Sequence, residues 1–281
     1  MNHSMVSRRI CRQAISRGWL ACGLSAWAFT ACATFGAPGP VVADRPGYTD
    51  TPTAMPARAV QLEAGVTDDR VGAALGAPAT EYRTFGETLI RFGVGARTEL
   101  RLFGNSYAAR STDDAPSVRG IEDAKIGAKV NLRAVPDSVH AWIPNTALLG
   151  ATTIATGATG ISAGAAQPEA KVAVSWTTPS PFSLFADVGY GAIETGTGRA
   201  TRAWTSVAGW WAVSPRVSVF AEGLTIGRVH GSGPGTSGND VDGGFTVLIT
   251  DRFQVDVRAG HGLGSETSHE QFIGAGLARR W

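Results

Sequence analysis

Between Ile121 and Arg133 the chain alternates residue by residue. Ala124, Ile126, Ala128, Val130 and Leu132 fall on one face, and Asp123, Lys125, Gly127, Lys129 and Asn131 fall on the other. Successive strand side chains point to opposite faces, so this is a strand with one aliphatic side and one strongly polar side. The same period recurs along the chain, and convincing helical periodicity does not. It holds through the last twelve residues, E-Q-F-I-G-A-G-L-A-R-R-W, with Trp281 at the end. A strand that keeps its period to a terminal aromatic residue needs that residue inside the fold, and a closed barrel supplies this by pairing its last strand with its first.

Twelve alternating segments can be drawn, at about 57–66, 86–95, 98–105, 121–134, 144–154, 168–177, 182–193, 200–213, 216–226, 241–250, 253–262 and 270–281. Most approach the roughly 9–11 residues that a tilted strand needs to cross a bilayer. The connections alternate as well. Gly95 to Arg97, Thr178 to Pro181, Ser214-Pro215 and Asp251-Arg252 are tight. Val66 to Gly86, Ser106 to Gly120, Ala155 to Gln167 and Gly227 to Asp240 are long and rich in Gly, Ser, Thr and Asp. Outer-membrane barrels pair short periplasmic turns with longer external loops. Val135 to Ile143 is long for such a turn, and Gly262 to His269 is short for such a loop. The expected fold is all-β: a transmembrane antiparallel β-barrel of about 12 strands, with the N and C termini on the periplasmic side.

The N-terminus carries an export signal by layout. Arg8, Arg9, Arg12 and Arg17 precede a weakly polar stretch from Gly18 to about Phe35, and Ala31-Cys32-Ala33 offers an A-x-A cleavage site. Phe29 to Cys32 also resembles a lipoprotein cleavage box, with Phe where an aliphatic residue is usual. Cys11, Cys22 and Cys32 all lie in this leader, so cleavage after Ala33 leaves no disulfide and no thiolate. It also leaves 21 Lys and Arg against 23 Asp and Glu, a balance of −2, which offers nucleic acid no electrostatic partner. The organisation expected is a signal peptide over 1–33, a periplasmic N-terminal segment over 34–56 and an outer-membrane barrel over 57–281. Pro46, Pro52 and Pro56 keep the stretch before the barrel from being a central strand. It can cap or enter the periplasmic mouth.

Alternation alone does not say which face is wet, because a soluble barrel with an apolar interior has the same period. The leader, the cysteine-free mature chain and the final strand favour lipid outside. Trp142, Trp176, Tyr190, Trp210, Trp211, Phe253 and Trp281 fall near strand ends, as an interfacial girdle does, and ordinary packing of aromatics would place them there equally well. With lipid outside, the candidate pore-lining residues are Glu63, Arg91, Glu99, Arg101, Asp123, Lys125, Lys129, Lys171, Asp187, Glu222, Asp256 and Arg258, accompanied by Gln61, Asn131 and Gln254. A charge facing mid-bilayer lipid costs about 2–4 kcal/mol, so these must face inward. They form either a wet pore wall or a salt-bridge network that fills the barrel. Twelve strands lie between the filled 8-strand case and open porins of about 16–18 strands. The equal number of positive and negative side chains implies no strong ion preference.

Other chemistry is thinly represented. His140, His230, His261 and His269 lie in turns, in loops or near strand ends, and none projects into the mid-lumen. A Ser-His pair at the rim, using His230 or His269, is the one enzymatic alternative. Gly233 to Gly238 matches G-x-G-x-x-G formally, but its Pro and the lack of a following helix make it a loop. Asn239 to Gly243 has carboxylates without a completed cation-ligand spacing, and no zinc spacing occurs, so no cofactor and no metal are expected.

Asp44-Arg45-Pro46-Gly47-Tyr48-Thr49-Asp50-Thr51-Pro52, followed by Gln61-Leu62-Glu63-Ala64-Gly65, resembles the mature start of a bacterial family. So do Ile121 to Val130 and the closing Gly274-Ala275-Gly276-Leu277. The family is that of the outer-membrane transporters named for the meta-pathway of phenol degradation, and the resemblance covers most of residues 44–281. It implies an outer-membrane β-barrel with a role in uptake of small aromatic or hydrophobic compounds, and it carries over no site residue. The function expected is passive passage of small solutes. The partners expected are outer-membrane lipid, the barrel-assembly machinery and a small-molecule solute, with no nucleic acid. The rivals are a structural or interaction barrel with a closed lumen, a rim-located hydrolase, and a soluble periplasmic barrel or lipoprotein.

Overall fold

The computed structural model describes residues 39–71, 79–113, 115–135, 143–178, 181–196, 198–231, 236–264 and 271–281. The expected signal peptide, His140, Trp142, Gly233 to Gly235 and His269 lie outside them. The described strand segments are β1 (Val60–Val71), β2 (Thr80–Gly93), β3 (Thr98–Phe103), β4 (Tyr107–Thr112), β5 (Val118–Ile121), β6 (Ala124–Arg133), β7 (Asn145–Ile154), β8 (Gln167–Thr177), β9 (Phe182–Thr195), β10 (Gly198–Ser214), β11 (Val217–His230), β12 (Gly238–Thr250), β13 (Phe253–Gly262) and β14 (Gln271–Arg280).

Each segment pairs antiparallel with its neighbours, and β1 pairs with both β2 and β14, so the sheet closes on itself. β3 and β4 lie end to end along β2, separated by residues 104–106. β5 and β6 likewise continue one another across residues 122–123. Fourteen segments therefore make twelve staves, the number that the alternation predicts. The seam is formed by Gln61 opposite Arg280 through Arg70 opposite Gln271. Beyond it, the Trp281 N–H donates to the Val60 carbonyl at 3.0 Å.

The barrel is apolar outside and polar inside. Phe85, Phe92, Leu100, Leu102, Ile126, Leu148, Val188, Phe245 and Ile273 are exposed on the outer face. Gln61, Glu63, Arg91, Glu99, Lys129, Asp187 and Asp256 are buried within. A chain cannot leave this much apolar surface in water, so the belt belongs in lipid.

Three of the expected long loops are shorter than the hydropathy pattern suggests. β1 runs on to Val71, β11 to His230, and β4 and β5 occupy most of Ser106 to Gly120. The cause is physical. Above the lipid both faces of a strand are wet, so Thr67, Asp68, Asp69 and Arg70 keep the backbone ladder while the apolar alternation ends. The Gly104-Asn105-Ser106 break further disguised β4 as loop.

Candidate functional site

The inner wall is met by an irregular segment, residues 39–59, that precedes β1. It begins at the rim formed by the tight turns. There the Val41 N–H donates to the Asp251 carbonyl at 2.7 Å and Arg280 donates to the Gly39 carbonyl. It rises to Tyr48, whose ring meets Phe272 edge-on at 5.9 Å, close to the far end of β14. It then descends to the first rim, where the Arg58 N–H donates to the Gly93 carbonyl at 2.7 Å. Pro46, Pro52 and Pro56 suit such a segment, because a chain that joins no ladder loses nothing by lacking N–H donors.

The wall takes over the hydrogen bonding of this backbone. Arg91 donates to the Val42 and Thr53 carbonyls at 3.0 and 3.1 Å. Lys129 donates to the Thr51 carbonyl at 2.8 Å, and Asn131 to that of Pro52 at 3.0 Å. In the other direction, the Arg45 N–H donates to Glu63 at 3.1 Å, Tyr48 N–H to Glu222 at 2.7 Å, Asp50 N–H to Asp187 at 3.0 Å and Met55 N–H to Glu99 at 2.7 Å. Buried backbone groups need such partners, and here side chains of the barrel supply them.

Charge complementarity follows the two arcs of the wall. One arc carries Arg91, Arg101, Lys129 and Lys171 with Glu63, Glu99 and Asp187. Asp44 lies against Arg101, 2.9 Å from Lys129 and 3.5 Å from Arg91. Asp50 lies 3.1 Å from Arg101 and against Lys171, which is itself 3.1 Å from Asp187. Arg91 also pairs with Glu63 at 3.1 Å and Glu99 at 2.9 Å. The opposite arc carries Glu222, Asp242 and Asp256, and toward it the segment turns Arg45, 3.7 Å from Asp256 and 2.7 Å from Glu87. Arg258 lies over the Tyr48 and Phe272 rings at 5.4 and 5.2 Å. A Cβ on Gly65 or Gly276 would run into the Arg45 guanidinium, which is why bare backbone lines that spot.

Ten of the twelve candidate lining residues surround this segment or pair with those that do: Glu63, Arg91, Glu99, Arg101, Lys129, Lys171, Asp187, Glu222, Asp256 and Arg258. Lys125 lies higher, paired with Glu169 at 2.7 Å. Asp123 lies apart from them at the outer rim, where its carboxylate accepts the Gly157 and Ala163 N–H groups at 2.7 and 2.9 Å and so fixes the loop after β7. Sequence reasoning missed Asp44, Arg45 and Asp50 as partners of the wall. The signal available was a short Pro-rich stretch with both signs of charge next to strands that bury charge. His230 and His261 are exposed, and neither is hydrogen-bonded to a serine hydroxyl among the described residues.

Space remains around the segment. A cavity of about 230 Å³ lies between it and a wall patch that includes Phe103, Lys125, Leu149 and Glu169. Another of about 190 Å³ lies between it and a patch that includes Phe185, Trp210, Ser218 and Gln254. Beyond Tyr48 a vestibule of about 1130 Å³ is walled by Tyr82, Trp204, Leu224 and Ile226 together with Arg110 and Arg202.

A closed twelve-stave barrel with an apolar exterior and a charged interior is an outer-membrane β-barrel protein. An outer membrane channel from Pseudomonas putida F1 superposes with a TM-score of 0.66 at 12% identity, over 84% of this chain and 99% of that one. The NanC porin gives 0.51 at 7% identity, over 78% of this chain and 98% of that one. The translocator domain of the autotransporter NalP from Neisseria meningitidis gives 0.52 at 12%, over 79% and 88%. At such identities the likeness establishes the barrel fold alone. No curated protein matches the sequence. The family is given by a sequence profile that matches residues 43–281: the chain belongs to the family described as "Putative MetA-pathway of phenol degradation". The matched range takes in the lumenal segment as well as the barrel.

Proposed function

We propose that the protein is a passive outer-membrane channel for small solutes, reaching the membrane with a cleaved leader (residues 1–33) and the barrel-assembly machinery, and narrowed from the periplasmic side by residues 39–59. The observation that carries this reading is the division of labour inside the barrel. The wall's charges pair in part with one another, as Arg91 does with Glu63 and Glu99, yet they also bind a segment that belongs to no strand. Cavities flank that segment, so the lumen is constricted and not solid. An enzymatic role has no comparable support. Solutes with an apolar body suit the vestibule walls and agree with the family's description.

One observation favours a second reading, a structural barrel with a closed lumen. Arg91, Lys129, Glu63 and Glu99 are all buried, and they pair both with one another and with the segment. Planar-bilayer recording separates the two. The channel reading requires small, reproducible conductance steps from protein whose heat-modifiable gel mobility shows a folded barrel. Folded protein that conducts nothing would sink it.

A further inference from the structure

The two rims of the barrel treat their charges differently. At the rim of long loops, charges pair within the protein: Arg83 with Asp68 at 2.7 Å, Arg70 with Glu81 at 3.3 Å and Arg199 with Glu194 at 3.3 Å. At the rim of tight turns, Arg97, Arg133, Arg216, Arg252 and Arg279 are all exposed. None of the five forms an ion pair among the described residues. Arg216 donates to the Ile249 carbonyl at 3.4 Å. Arg58 and Arg280 stand at the same rim but are engaged within the protein. Asp251 is the one acidic residue in the described part of these turns, and Asp137 lies outside the described residues.

Each of these five arginines lies within three residues of an exposed apolar side chain of the belt: Val94, Leu132, Val213, Ile249 or Trp281. Three residues of chain span at most about 10 Å, so the guanidinium groups sit at the edge of the lipid-facing surface. Arg279 shows the geometry, 5.1 Å from the centre of the Trp281 ring. An arginine placed there runs its apolar stem along the belt and keeps its charge among the headgroups. The turns are short and offer no protruding surface, whereas a stable protein partner needs about 800 Å² on each side. The arrangement therefore suits a lipid phosphate better than a folded protein.

We infer that the rim of tight turns is a binding ring for anionic phospholipid, its arginines holding the phosphates of phosphatidylglycerol-type lipids in the leaflet that faces the periplasm. The inference rests on the orientation used in the channel reading, with the tight turns toward the periplasm, and not on the passage of a solute. An arginine near an anionic lipid surface gains about fivefold in binding, and salt screens the gain.

The folded protein in a neutral detergent is titrated with phosphatidylglycerol and phosphatidylethanolamine of one chain length, and bound lipid is counted by native mass spectrometry. Phosphatidylglycerol should be retained at roughly fivefold lower concentration, and the preference should fade as salt rises from about 0.05 to about 0.5 M. Arg97→Gln, Arg133→Gln, Arg216→Gln and Arg252→Gln together should remove the preference and leave phosphatidylethanolamine binding unchanged. Arg97→Lys, Arg133→Lys, Arg216→Lys and Arg252→Lys together should keep most of it. Arg70→Gln with Arg199→Gln, at the opposite rim, should keep all of it. Where the fourfold glutamine variant lacks the heat-modifiable mobility of a folded barrel, Arg97→Gln with Arg133→Gln and Arg216→Gln with Arg252→Gln are measured as separate pairs, and each should lower the preference. Equal retention of the two lipids by the wild type would overturn the inference, as would a preference that survives the glutamine changes. Soluble glycerophosphoglycerol competing as strongly as the lipid would overturn the lipid as the ligand. A lipid preference without conductance would leave the ring standing and remove the channel. Conductance without a lipid preference would do the reverse.

Discussion

Asp44 and Lys129 meet at 2.9 Å in the interior of the barrel, one from the segment that precedes the first strand and the other from β6. Both side chains are almost wholly shielded from solvent. Asp44 also lies against Arg101 and within 3.5 Å of Arg91, so one carboxylate answers three cations of the wall. Removing one member of a buried ionic cluster costs about 3–5 kcal/mol, because the remaining charges are left without compensation. This relationship makes the segment an electrostatic part of the barrel.

Asp44→Asn keeps the shape and deletes the charge. The docked state should lose about 3 kcal/mol relative to the displaced one, about a hundredfold in their ratio. In planar-bilayer recordings the variant should spend far more time in a high-conductance level than the wild type. Indistinguishable traces would argue that Asp44 does not hold the segment.

The same contact sets a pH dependence. Burial alone would raise the Asp44 carboxyl, but Arg91, Lys129 and Arg101 hold it well below its ordinary value of 3.8. A group with a depressed pKa in the docked state contributes its stabilisation above the undocked pKa and loses it as pH falls through the docked one. The difference between wild type and Asp44→Asn should therefore stay constant from about pH 8 to about pH 5, begin to shrink near about pH 4 and be lost well below it. Open probability measured across that range checks this; a difference that fades between neutrality and pH 5 would contradict it.

Deleting Asp44 to Pro56 should raise single-channel conductance and change which lumenal residues can be reached. Residues 39–281 hold no cysteine, so single cysteines placed in the barrel report cleanly. Lys129→Cys, buried under the segment, should resist a membrane-impermeant thiol reagent in the full chain and react after the deletion. Lys125→Cys, whose lysine is about a quarter exposed beside the cavity, should react in both. Ala128→Cys, on the lipid face, should react in neither. Unchanged conductance on deletion would count against the constricting role.

Trp281 lies past the last ladder pair, with its N–H on the Val60 carbonyl and Arg279 over its ring at 5.1 Å. Trp281→Ala should reduce the yield of folded, heat-modifiable barrel while leaving the conductance of correctly folded molecules unchanged. Normal assembly of the variant would remove the terminal ring from any role in closing the seam.

The stave count and the inward set were legible because both follow from local rules. Ala128 and Lys129 differ by one residue and therefore by one face, and a charge such as Arg91 or Glu99 has only one tolerable side in a bilayer. Residues 107–112 and 118–120 were not legible as strand, since above the lipid no solvent difference imposes alternation. The partnership of Asp44 with Arg91, Arg101 and Lys129 was hidden for another reason. It depends on how far an irregular, proline-bearing chain reaches into a lumen whose width no single strand encodes. A possible entry of Asp44 to Ala57 into the mouth could be read from its prolines, but its depth, up to Tyr48 beside Phe272, could not.

Both feet of the inner segment rest on one rim, and they straddle the seam. One foot is held by Arg280 and the turn after β12, the other by Gly93 of β2, and the second runs straight into β1. The segment therefore gives the lumen two unlike ends: one rim carries both of its anchors, and the other opens onto the side of Tyr48.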